Sequence, residues 1–80
     1  MIIKPLNTES AATDAAITAA RVVRLVNTHA SDASVITIAN TAAASMTLLA
    51  QSSEVVEKDI GAAITVSGGT VVATPVAFTN

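Results

Sequence analysis

From Arg21 onward the chain is a succession of short β-branched runs divided by turn formers, and this punctuation constrains the fold more than any other feature. Arg21-Val22-Val23-Arg24-Leu25-Val26-Asn27 runs into the turn-forming cluster Thr28-His29-Ala30-Ser31-Asp32, which reads as a strand followed by a turn. In residues 34–40, Ile36 and Ile38 alternate with Val35, Thr37 and Ala39, so one face of the strand is apolar. Residues 45–50 form a third strand, with Met46 and Leu48 on one face, and Gln51-Ser52-Ser53 a turn after it. Residues 54–59 and 62–66 follow, then Ser67-Gly68-Gly69, whose glycines supply the positive φ of a tight hairpin. Val71 to Phe78 closes the series, and Pro75 predicts an edge position or a bulge there.

Six strand candidates at intervals of about 8 to 12 residues predict an all-β fold, a small antiparallel β-sandwich or barrel. A helical start followed by a single open sheet is the main alternative. The sandwich is preferred because alternating strands need a second layer to cover their apolar faces.

Residues 1–20 read differently. Ile2-Ile3-Lys4-Pro5-Leu6 is extended, and Pro5 disfavours helix at Lys4 while removing a ladder donor, so an edge strand or an extended N-terminal arm fits. Glu9 to Ala20 is Ala-rich, with Ile17 as its one large apolar residue. A helix needs an apolar stripe to dock. The expectation here is a mobile loop, or at most one or two helical turns starting near Ser10; if the stretch is ordered, a neighbouring subunit is expected to order it. The chain therefore divides into an arm with an Ala-rich loop or short helix (1–20) and a β-sandwich domain (21–80).

With 80 residues there is room for one domain, near the lower limit for a self-sufficient core. Small domains often rely on disulfides, a metal or oligomerisation. Zero cysteines exclude the first, and a lone His29 cannot supply a structural zinc site. Apolar residues make up 51% of the chain, but they are mostly Ala, Val and Ile, with Phe78 the single aromatic. The resulting core is thin, which favours homo-oligomerisation or a multi-copy assembly.

The net charge is −2, and Lys4, Arg21, Arg24 and Lys58 are scattered, whereas nucleic-acid binding needs clustered cations. Mean hydropathy is positive, yet no apolar run approaches the roughly 20 residues of a spanning helix. Nucleic acid and a membrane span are therefore not expected. The N-terminus lacks the pattern of a signal peptide, and the lack of cysteine fits synthesis in a reducing cytoplasm.

No constellation of reactive side chains stands out. His29 is the one candidate general base, and it sits in a polar turn, where a solvated loop residue is the simpler reading than a triad. Glu54, Glu57 and Asp59 lack the oxygen-rich loop of a calcium site and read as a solvated edge. Gly68-Gly69 is followed by neither Lys-Ser/Thr nor a helix, so it is a turn and not a phosphate loop. No catalytic, cofactor or metal site is expected, and the protein is not read as an enzyme. Arg24 interrupts an apolar strand; it either snorkels from the sheet face or pairs with an acid across an interface.

The strings Val22-Val23-Arg24-Leu25-Val26-Asn27-Thr28, Val35-Ile36-Thr37-Ile38, Met46-Thr47-Leu48-Leu49, Glu54-Val55-Val56-Glu57-Lys58 and Ala73-Thr74-Pro75-Val76-Ala77-Phe78, with the opening Ile2-Ile3-Lys4-Pro5-Leu6-Asn7, resemble small all-β structural proteins of tailed bacteriophages, marine and cyanophage types in particular. Glu9 to Ala20 looks like an insertion relative to that pattern. The resemblance implies a virion protein made in the host cytoplasm, with phage capsid or tail proteins as partners. A capsid decoration or cement protein bound to the major capsid protein lattice is the leading expectation. A tail or neck protein, as an adaptor, tip or fibre-associated module, is the alternative. The residues expected to bind the partner are Ile2, Ile3, Pro5 and Leu6 in the arm, with Arg24 as a polar anchor.

Overall fold

The computed structural model describes residues 2–79; Met1 and Asn80, the outer bounds of the two segments above, lie outside the described residues. Eight strands and one short helix follow in the order β1 (Ile2–Pro5), β2 (Ser10–Ala11), α1 (Ala15–Thr18), β3 (Val22–Asn27), β4 (Ser34–Ile38), β5 (Ala44–Leu48), β6 (Ser53–Glu57), β7 (Ile64–Ser67) and β8 (Val71–Thr79). They form two antiparallel sheets. The larger runs β1-β8-β3-β6, with β2 also on β8, and the smaller runs β5-β4-β7. The all-β antiparallel reading holds. The opening residues form an edge strand, β1, which lies on β8 as part of the larger sheet and not as an arm beside it. No described helix is long and apolar enough to cross a membrane.

The two-residue alternation seen in the sequence sorts side chains between core and surface. On β4, Ser34, Ile36 and Ile38 are buried while Val35 and Thr37 are exposed. On β3, Val23, Leu25 and Asn27 point into the core. The apolar ones meet Leu48, Ile64, Val71 and Ala73 in one cluster between the sheets. Each fully buried Leu or Ile contributes roughly 1.5–3 kcal/mol.

Strand β8 runs through the middle of the larger sheet, and Pro75 sits within it, opposite Val23. A proline is tolerated there because of the direction in which its backbone faces. Thr28 N–H donates to the Thr70 carbonyl at 2.8 Å, so alternation turns the backbones of Val72 and Thr74 toward β3 and those of Ala73 and Pro75 toward the opposite side. Leu6 N–H accordingly donates to the Pro75 carbonyl at 2.8 Å from that opposite side. The partner strand is interrupted at this point. β1 covers Val76 to Thr79, β2 covers Val72 and Ala73, and the chain between them loops out beside Thr74 and Pro75. The missing proline donor thus coincides with a break in the neighbouring strand.

Gly68 and Gly69 have positive φ, at 80° and 61°, as a turn there requires. The expected hairpin is corrected, however, because β7 and β8 belong to different sheets and the turn is a corner between them. A Cβ at Gly69 would overlap Ser34 Oγ and lie 2.9 Å from Asn27 Oδ1, so the corner closes onto buried polar atoms that leave no room for a side chain.

Those atoms form a small network. Asn27 Nδ2 donates to the carbonyls of Asp32 at 2.9 Å and Leu48 at 3.1 Å, while its Oδ1 accepts from the N–H groups of His29 at 3.1 Å and Thr70 at 3.3 Å. Ser34 Oγ donates to the Gly68 carbonyl at 2.6 Å. One buried amide therefore ties the end of β3 to the turn that follows it, to β5 and to the corner before β8.

The Ala-rich stretch is ordered by this chain itself. Asp14 caps α1, its Oδ1 accepting from Ala16 N–H at 3.0 Å, and Ile17 is fully buried in the common core. The cap is Asp14 and not a residue near Ser10, because Ser10 and Ala11 pair with Ala73 and Val72. At the other end of the helix, the Thr18 carbonyl accepts from Gly61 N–H at 2.9 Å and from Lys58 Nζ at 2.7 Å. Lys58 is only 3% exposed, and burial holds its ammonium below the usual lysine pKa, with the carboxylate of Asp59 acting in the other direction.

Candidate docking groove

The two sheets present different outer faces. That of the smaller sheet carries Thr37, Ser45, Thr47, Thr65 and Ser67 around Val35, in the register that pairs β4 with β5 and β7. The face of the larger sheet is more apolar. Val22 and Val26 on β3, Val55 on β6, and Val72 and Val76 on β8 share it with Arg24 and Thr74, and with Ser53 and Glu57 of β6, which lie opposite Val26 and Val22.

Within this face lies a shallow groove of about 410 Å³, lined by Ile3, Pro5, Asn7, Glu9, Arg24, Thr74 and Val76. Its parts come from three directions. β1 brings Ile3 and Pro5 to one face because they lie two residues apart, β8 supplies Thr74 and Val76, and β3 supplies Arg24 opposite Thr74. The loop between β1 and β2 adds Asn7 and Glu9. Val76 is buried, at 4% exposure, without joining the core cluster, which makes it the floor of the groove.

Three of the five expected partner-binding residues, Ile3, Pro5 and Arg24, are thus brought together. Ile2 and Leu6 are exposed but do not line the groove. Among the described residues no strand pairs with the outer side of β1. Since Leu6 donates to β8, alternation turns the Lys4 backbone the same way and leaves the N–H and C=O of Ile3 facing outward. Pro5 shares that outward position, so its lack of an N–H costs the sheet no bond.

Arg24 is exposed, and among the described residues neither its guanidinium nor the Glu9 carboxylate has an ion-pair partner. Both charges line the same groove without pairing with each other.

The other residues singled out in the sequence take part in local structure. His29 Nδ1 accepts from the N–H groups of Ser31 at 3.1 Å and Asp32 at 2.9 Å, and Nε2 lies 3.6 Å from Asp32 Oδ2. Its ring shapes its own turn. Glu54 and Glu57 lie an odd number of positions apart on β6 and face opposite ways, while Asp59 Oδ2 accepts from Thr41 N–H at 2.9 Å. No group of three metal-ligating side chains occurs among the described residues.

Asn7, Glu9, Thr74 and Val76 are groove residues that sequence reasoning does not single out as partner-binding. Strand periodicity places Thr74 and Val76 on one face, but nothing local brings Glu9 beside them. Comparison with family models, curated proteins and solved structures returned no match.

Proposed function

We propose that this chain is a structural subunit of a bacteriophage virion, a decoration or cement protein that binds the major capsid protein lattice. The observation that carries the reading is the apolar groove beside the outer edge of β1, formed by Ile3, Pro5 and Val76 with Arg24 at its side. Such an edge accepts an extended segment of a partner by strand addition, with backbone hydrogen bonds for affinity and a groove for one of its side chains. The sequence resemblance to tailed-phage structural proteins supplies the class of partner. Contacts repeated over many copies oppose separation of neighbouring capsid subunits even when each is weak.

Two measurements test this. Mass spectrometry of purified virions, with labelling to locate the chain, should find it on the head in proportion to the capsid lattice. Its absence from particles would remove the reading, and a single ring at the neck or tail would favour the adaptor alternative. Ile3→Pro removes the outward N–H of β1 without removing a bond to β8. It should reduce particle binding by at least about tenfold, the effect of losing one hydrogen bond of roughly 1.4 kcal/mol, and leave the circular dichroism spectrum unchanged. Undiminished binding would take strand addition at β1 out of the mechanism.

A further inference from the structure

We infer that the Arg24 groove is also a self-complementary contact, through which two copies of this chain associate face to face about a two-fold axis near Thr74. Charge placement points to it. Arg24 lies opposite Thr74 on β3, and Glu9 comes from the loop that passes Thr74 on its other side. With strands about 4.8 Å apart, the backbones of Arg24 and Glu9 are separated by roughly 10 Å, on either side of Thr74.

A two-fold rotation through the middle of this row exchanges its ends. Each guanidinium then meets Glu9 of the second copy, and Ile3 and Val76 of both copies cover one another. An isologous contact needs this kind of self-complementarity, in which a patch carries its own counter-charge. A uniformly acidic partner would pair with Arg24 but would be repelled by Glu9, and a basic one the reverse. The second copy satisfies both groove charges at once; Glu57, opposite Val22 on the same face, lies outside the groove lining.

The contact is small. A face three or four strands wide covers a few hundred Å², below the roughly 800 Å² per partner of a standard interface, so association is weak and concentration-dependent. It requires no capsid, and because it covers Ile3, Arg24 and Val76, the groove of the proposed capsid contact, a capsid segment and a second copy would compete for it.

Sedimentation equilibrium of the purified full chain over a wide concentration range should show a monomer–dimer equilibrium. Arg24→Glu and Glu9→Arg should each weaken the dimer about tenfold or more, and the double variant should restore it, since the charge pairs are only reversed. Because the chain has no cysteine, Thr74→Cys supplies a unique thiol close to the axis. A short bismaleimide should link it to its counterpart far more efficiently than it links Thr37→Cys, on the outer face of the other sheet. A monomer at every concentration, equal crosslinking at both positions, or charge reversals without effect would overturn the inference. A monomeric wild type that loses particle binding on Arg24→Glu would also overturn it, and would leave the groove to the capsid partner of the proposed function alone.

Discussion

Four hydrogen bonds leave the buried amide of Asn27 fully satisfied, so the cost of its burial is offset only while every partner stays in place. Asn27→Ala strands two carbonyls and two N–H groups at once. We expect a loss of about 2–4 kcal/mol, read from urea midpoints, the range for breaking a buried network. Lys58 gives a pH dependence with a definite sign. Its folded pKa is lowered by burial, so between that value and the ordinary lysine value the unfolded chain binds more protons than the folded one. The penalty for burying the ammonium is full below the folded pKa and disappears as pH rises through the window to the ordinary value. Wild-type stability should therefore gain from this group as pH rises into the lysine range, and Lys58→Met should remove that part of the pH slope. An unchanged slope would assign it to other groups.

At the scale of elements, α1 shows how little is needed to dock a short helix. Four residues cannot form a stable helix by propensity, and this one has a cap at Asp14, an anchor at Ile17 and a carbonyl held by Lys58 and Gly61. Ile17→Ala should cost about 2–4 kcal/mol in chemical denaturation, as for other large-to-small changes in a core. A loss below about 1 kcal/mol would mean that the segment hardly contributes to the fold. In the sequence Ile17 is the only large apolar residue of the stretch, and the want of a stripe assigns its ordering to a neighbouring subunit. One fully buried isoleucine is enough, because it reaches the core cluster shared by both sheets.

At the scale of the molecule, the two sheets share one core, with Leu25 and Ala73 from one meeting Ile36 and Ile64 from the other. Heat or denaturant should therefore unfold both sheets in one transition, with far-UV circular dichroism and hydrogen exchange of β4 amides reporting the same free energy. Two separated transitions would show that the sheets are stable independently. The two outer faces are also unequal, since hydroxyl side chains cover most of the smaller sheet and apolar ones most of the larger. The six strands from Val22 onward, the inward set on β3 and β4 and the turn glycines are legible in the sequence, because each depends on a two-residue period or on the φ preference of one residue; the edge or bulge expected at Pro75 is not what forms, since β8 is an interior strand, and β2 has no local signal. Strand partners and the sheet-to-sheet corner at Gly68-Gly69 are not legible, because pairing joins residues far apart in the chain and no local propensity specifies it. The same holds for the groove. Its apolar and basic residues can be picked out one at a time, but their meeting with Glu9, and the burial of Asn27 and Lys58, are decided only when β8 draws β1, β2 and β3 into one sheet.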